Sequence, residues 1–336
     1  MTEQHLKALA LVAVAMALAF VPLFFPSFLV FQLSIALTYA IAILGLNLLM
    51  GFNGQISVAQ GVFFAVGAYA TAIFVTRCGF GFLAALPVAI AISALIGFLI
   101  GIPALRMQGL PLAFVTLGLA VLVPPLALKL DWLTKGATGI SFTKPVVPAW
   151  FPGTQDTFLY EACLLSAAVC VWIAWRLLKG DTGRALRAVR DNGLIAESLG
   201  VNLTAVRLAA FATSAGFAGF GGWCFALING FVSPESFQMT MSFNFLVGSI
   251  VGGITSISGA LIGALFITFV PDWASDINLA LSGVIYGACM IVMMLVARDG
   301  VVGLARDGYA RLRPLFTTMS RKSSLQNTEI EESVKL

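Results

Sequence analysis

The chain has 336 residues, of which 60% are hydrophobic and 10% charged, with a formal net charge of +4. Ordinary soluble domains are about 45–50% apolar and about 25% charged, so a water-soluble globular protein is excluded and lipid must cover the surplus apolar surface. No Asp, Glu, Lys or Arg interrupts Ala8 to Thr76, a stretch far longer than the roughly 20 residues of one bilayer-spanning helix.

In chain order, the first apolar run, 8–30, is longer than the about 7–15 residues of a signal-peptide core and is followed at once by more spans, so it reads as a retained helix. Further apolar runs fall at 31–50, 56–76, 82–103 and 110–128. Segment 129–157 carries Lys129, Asp131, Lys135 and Lys144 and reads as an external loop, solvated or meeting a partner. A run at 158–178 leads into the charged segment 179–205, and runs at 206–228, 241–271 and 279–297 follow. Residues 1–313 thus form a transmembrane domain, and the polar stretch 314–336, ending in Glu329, Glu331 and Glu332, reads as a cytoplasmic disordered tail.

Charge placement sets the orientation. Arg176, Lys179, Arg184, Arg187, Arg190 and Arg207 outnumber Asp181, Asp191 and Glu197, and the stretch from Arg298 to Arg313 holds four Arg against two Asp. The positive-inside rule puts both regions, and with them the N- and C-termini, in the cytoplasm. Glu235, Asp272 and Asp276 have no basic neighbours, so their loops face out. The run 241–271 must then begin and end outside. Two crossings satisfy this, and so does a re-entrant hairpin, in either case bent near Gly252, Gly253 and Gly259. The expected fold is an all-α polytopic bundle of about eight to ten crossings. Irregular backbone at membrane depth must be covered by protein or line a cavity, so the hairpin belongs inside the bundle. GQISVAQG (54–61) and TSISGALIG (255–263) share an Ile-Ser before small residues, a candidate internal repeat. The pairs Gly97/Gly101, Gly248/Gly252, Gly259/Gly263 and Gly283/Gly287 predict close helix contacts.

No charged residue lies deep in the N-terminal spans, and among the neutral polar residues Asn47, Asn53, Gln55, Ser57, Gln60, Asn229, Asn244 and Ser249 stand out. An unpaired amide in hydrocarbon costs roughly 2–7 kcal/mol, so these groups face the bundle interior, joining helices or lining a translocation pathway. The cytoplasmic stretch 180–202 is helix-prone, with Arg184, Arg187, Arg190 and Asp191 at helical spacing and Ala188, Leu194, Ile195 and Leu199 as apolar contacts. Such a helix rests on anionic lipid or enters a groove on a soluble partner. Catalytic and metal chemistry have no visible residues. The sole histidine is His5, no P-loop for ATP occurs, and Cys78, Cys163, Cys170, Cys224 and Cys289 form no CxxC pair. Nothing points to nucleic acid.

The stretches GLNLLMGFNGQISVAQGVFFAVGAYATAI (45–73), RDNGLIAESLGV (190–201), LGVNLTAVRLAAFATSAGFAGFGG (199–222), GFVSPESF (230–237) and ARDGVVGL (297–304), in this order, resemble the LivM-type permease subunits of branched-chain amino acid ABC importers. The chain departs from the family pattern at Ala59, Gln60 and Asp299. The resemblance implies a translocation subunit of a bacterial inner membrane. It implies a second related permease (LivH-like), two cytoplasmic ATPases holding ATP and Mg, and an external substrate-binding protein. The cargo would be leucine, isoleucine and valine, or urea and amides in sister branches. It also implies a coupling helix within 184–200, with Glu197 and Gly200 at an acid and a glycine of the importer loop pattern. A stand-alone channel for small neutral solutes is the rival expectation.

Overall fold

The computed structural model describes residues 22–304, apart from residues 23, 108, 149–152 and 298–299. The expected tail and the first apolar run up to residue 21 lie outside the described residues. The fold is an all-α bundle. Its helices are α1 (Ser27–Leu46), α2 (Gln60–Arg77), α3 (Phe82–Ala104), α4 (Leu110–Lys129), the short α5 (Asp131–Thr134), α6 (Gln155–Lys179), α7 (Asp181–Asp191), α8 (Gly193–Ser198), α9 (Leu203–Asn229), α10 (Met239–Gly252), α11 (Ile257–Ile277) and α12 (Ser282–Val296). Among the described residues, seven helical segments are long and apolar enough to cross a bilayer by length and composition, and the protein is a multi-pass membrane protein.

Some boundaries differ from the sequence expectation. The expected division at residues 30 and 31 falls instead at Pro26, whose extended backbone precedes α1; proline fixes φ and favours the start of a helix. Beyond Leu46 the helix continues as a π-helix, Asn47–Phe52, and residues 53–59 are irregular before α2 begins. The run 241–271 is two helices. Residues 253–256 break it, and Gly253 takes φ +116°, a conformation few other residues tolerate. At about 1.5 Å per residue, α10 is about 21 Å long, short of the about 30 Å hydrocarbon core, whereas α11 is long enough to span it.

The segment after α4 is more ordered than a solvated loop. Ile140 and Ser141 (β1) pair antiparallel with Val232 and Phe231 (β2), and Ile140 is 1% exposed.

α9 and α1 form the centre. In α9 the most apolar window is 89% buried, and in the helix from Ser27 to Phe52 it is 72% buried. The small residues of α9 explain why. A Cβ on Gly222 would overlap the Phe64 carbonyl, and one on Gly219 would overlap Ser93, so bare glycine lets α2 and α3 approach the α9 backbone. α10 and α11 mesh in the same way: a side chain on Gly252 or Gly263 would overlap the Gly259 or Gly248 carbonyl of the opposing helix. Gly97 and Gly101 pack against Ala215 and Leu208, but Gly283 and Gly287 meet nothing within 4 Å. Three of the four predicted pairs therefore close contacts within the chain.

The two Ile-Ser stretches both follow a helix break, after residues 53 and 253. Their surroundings differ. α10 and α11 lie glycine to glycine, while α1 and α2 are held apart by α9, which packs on both.

Candidate functional site

One end of the bundle carries a surface helix pair seated on the break after α1. In α7, Gly183, Leu186 and Val189 are buried against the bundle. Arg184, Arg187 and Arg190 recur every third residue and share the flank beside that buried face. Arg184 pairs with Asp181, both side chains being largely exposed. Arg187 donates to the Leu178 carbonyl at 3.1 Å. Arg190 donates to the Gly51 carbonyl, at the C-terminal end of the π-helix. Its side chain also lies 3.2 Å from where a Cβ of Gly54 would stand, and Gly54 has φ +75°.

The continuous helix expected within 184–200 is interrupted. Asn192 is extended (φ −159°), and its side chain accepts from Ile195 N–H at 3.2 Å, capping α8. An Asn oxygen placed this way satisfies a donor that the helix start leaves free. Gly200 ends the unit with φ +87°, while its N–H donates to the Glu197 carbonyl at 2.9 Å. Glu197 and Asp191 are exposed. The break turns Leu194, Ile195 and Leu199 outward, at 80%, 57% and 78% exposure. Two arginines of the pattern thus bind this chain's own backbone, and the outward face of the pair is apolar with an acidic rim.

Directly beneath lies a polar knot between the π-helix and the α10–α11 turn. Asn47 Nδ2 donates to the Ser256 carbonyl at 2.9 Å and to the Gly253 carbonyl at 3.4 Å. Ser249 Oγ donates to Asn47 Oδ1 at 2.6 Å. Asn47 and Ser249 are wholly buried. A Cβ on Gly51 would overlap the Ile254 carbonyl. π-helical turns inside α-helices accumulate at functional positions, and here the irregular register aims Asn47 at the turn.

The stretch 53–59 is irregular backbone, and several of its backbone donors are paired. Gln55 N–H donates to the Leu49 carbonyl at 3.1 Å, and Val58 N–H to Thr116 Oγ1 at 2.9 Å. Ala59 N–H donates to Ser57 Oγ at 3.3 Å. Gln60, first residue of α2, ties three helices. Its Nε2 donates to the Ala42 carbonyl at 2.6 Å and to the Ser214 carbonyl at 3.4 Å, and Ser214 Oγ donates to its Oε1 at 3.1 Å. Asn53 differs: it is buried and neither of its side-chain polar atoms has a partner, and Gln55 Oε1 shares that condition. An orphaned buried polar group costs about 1–3 kcal/mol.

Asn244 stands apart from this group. It is half-buried on α10, where Tyr286 of α12 donates to its Oδ1 at 3.4 Å. It lines a cavity of about 230 Å³ at the other end of the bundle. The structure therefore brings Asn47, Ser249, Asn53, Gln55, Ser57 and Gln60 around one break, and sets Asn244 in a second place. Gly252, Gly253 and Gly259 all fall at the α10–α11 turn, where Gly253 bends the chain and the other two permit contact.

Sequence reading overlooked the partners that fasten the break. Ser214 holds Gln60, Thr116 holds Val58, and Ser242 Oγ accepts from Gly61 N–H at 3.2 Å. A single hydroxyl in an apolar run was the available signal, and it identifies no partner. Among the described residues, no group of three or more His, Cys, Asp or Glu could hold a metal ion.

The family described as branched-chain amino acid transport system / permease component matches residues 28–294. The high-affinity branched-chain amino acid transport system permease protein LivM of Salmonella typhimurium is 34% identical over 296 residues, covering 81% of this chain and 69% of the relative. LivM of Escherichia coli K12 is 33% identical over the same coverage. The permease protein LivH of the same transport system in Salmonella typhimurium is 23% identical over 79% of this chain and 91% of the relative. No solved structure gives a significant match.

Proposed function

The chain belongs to the family of branched-chain amino acid transport permease components, and on that premise we propose that it is the membrane-embedded translocation subunit of an ATP-binding-cassette importer of branched-chain amino acids. It works in a bacterial inner membrane with the Arg190 end in the cytoplasm and the Glu235 end outside. A LivH-like permease completes the pathway, two cytoplasmic ATPases bind ATP and Mg and supply the energy, and an external binding protein delivers the amino acid. The chain itself holds no cofactor.

The observation that carries this reading is the α7–α8 pair. Leu194, Ile195 and Leu199 are exposed beyond the bundle, an apolar face of the kind that meets a protein partner or lipid, and the importer reading assigns it to the ATPase. Arg190 connects the same unit to the break at Gly51. An ATPase that grips the apolar knob would pull on α7. Through Arg190 it would shift the π-helix against the α10–α11 turn. Two packings of this knot, biased by the ATPase, suffice for alternating access. The neutral side chains at the break suit a cargo that carries no net charge.

The test is Leu194→Asp in the full importer, reconstituted with its ATPases and binding protein. ATPase retention on the permease pair and leucine uptake should both collapse, while the permease pair still assembles. Full retention and uptake in that variant would remove the docking assignment. Leucine flux through the purified chain alone, without ATP, would replace the importer with a channel.

A further inference from the structure

The cavity at the Glu235 end has no role in the scheme above. It measures about 230 Å³, below the about 300–1,000 Å³ of drug-sized sites, and so suits a small metabolite. It runs from the loop before α10 down between α1, α10 and α11. Glu235 and Ser236 line its mouth, and Tyr39, Asn244, Phe245 and Ile267 line its depth. Three features stand together. Glu235 is the one charged lining residue, is exposed, and forms no ion pair among the described residues. Hydroxyl and amide donors of Ser236 and Asn244 share the cavity with it. At the inner end stands the half-buried ring of Tyr39, edge-on to the buried Phe245 at 5.4 Å between ring centroids.

We propose that this cavity is a binding site for a free aliphatic α-amino acid, with Glu235 receiving the ammonium group. The carboxylate would meet neutral donors such as Ser236 and Asn244, since among the described residues no Lys, Arg or His lines the cavity. The aliphatic side chain would lie against the half-buried ring of Tyr39. The proposal rests on the importer reading and names where the cargo waits between release by the binding protein and passage past the break.

The test uses the assembled importer carrying Thr240→Cys, with Cys78→Ser to remove an exposed thiol. Thr240 also lines the cavity, and mass spectrometry reads its modification by a small thiol reagent. Leucine should protect position 240. 4-Methyl-2-oxopentanoate, which lacks the ammonium, should not. Glu235→Gln in the same background should raise the leucine concentration needed for protection by about tenfold or more, the loss expected for one charge-assisted hydrogen bond. Glu235→Asp should restore part of it. ATPase stimulation by the loaded binding protein verifies that each variant folds and docks. Position 240 reacting equally with and without leucine, in an importer that still takes up leucine, overturns the site and leaves the importer reading intact. So does a Glu235→Gln variant that loses only stimulation by the binding protein, which would make Glu235 a docking residue. An importer without uptake in its unaltered form would instead sink the premise.

Discussion

Arg190, on the surface helix α7, donates to the carbonyl of Gly51, at the far end of the π-helix. The contact links the surface helix pair to the helix break that follows α1. Its geometry requires glycine on both sides. Gly54 leaves room for the arginine stem, and Gly51 brings its carbonyl out while abutting Ile254 of the α10–α11 turn. A push on α7 is therefore felt by two helix breaks at once.

Arg190→Ala should separate docking from transport. The apolar knob of α8 does not depend on Arg190, so the ATPases should stay bound and hydrolyse ATP. Leucine uptake per ATP hydrolysed should fall by about tenfold, the equivalent of about 1.4 kcal/mol of lost coupling. Parallel assays of hydrolysis and uptake in proteoliposomes check this. An unchanged ratio would mean that force passes into the bundle by another route.

The glycines of the α10–α11 hairpin predict a sharp contrast. Gly263→Ala adds a methyl where the Gly248 carbonyl already sits, and Gly252→Ala does the same against Gly259. Overpacking of this kind costs about 1–3 kcal/mol. Both variants should melt earlier in detergent and give less folded protein. Gly283→Ala, with nothing within 4 Å, should leave the melting of the isolated chain unchanged. Equal melting of all three would show that the helices separate more easily than their contacts imply.

Asn47 and Ser249 should behave as one unit. Hydrogen bonds inside membrane bundles average about 0.6 kcal/mol, but Asn47, wholly buried, holds two carbonyls and a hydroxyl. Asn47→Ala strands all three groups and should cost about 2–4 kcal/mol, at about 1–3 kcal/mol per stranded group with partial relaxation. Ser249→Ala should cost about 1 kcal/mol, because it removes a donor and leaves Asn47 its other bonds. The double variant should cost less than the sum, with a coupling of about 0.5–3 kcal/mol. A denaturant titration of the four proteins gives the cycle, and strict additivity would count against the knot.

The bundle itself was legible because hydropathy alone decides which segments can lie in lipid. The α10–α11 turn was legible too, since opposite ends of the run had to face the same side and glycines stood between them. The break at Asn192 was not, because Asn within a helix-prone run becomes a cap only when the following turn is packed. Nor was the division of labour among the amides. Asn47, Asn53 and Gln60 look alike in sequence. Distant partners make the difference: Ser256 and Ser249 for Asn47, Ser214 for Gln60, and none for Asn53. Such partners lie some 150 to 210 residues away along the chain, beyond any local pattern. The cavity at Glu235 was invisible for the same reason, being assembled from α1, α10, α11 and one loop.

Asn53 yields the least intuitive expectation. Both its polar atoms are buried without partners, so this packing bears an unpaid desolvation of about 1–3 kcal/mol for each group. Asn53→Ala removes that burden and leaves only a small void. The variant should therefore be as stable as the parent or melt later, unlike Asn47→Ala. If the amide gains its partners in the alternative packing of the break, the same change also removes a reason to leave the present one. Uptake should then fall while stability holds or rises, and the ATPase rate stimulated by the binding protein should fall with it. Melting curves and uptake measured on one preparation decide the matter. A destabilised variant would show that Asn53 is satisfied here after all, and a stable variant with full uptake would remove it from the pathway.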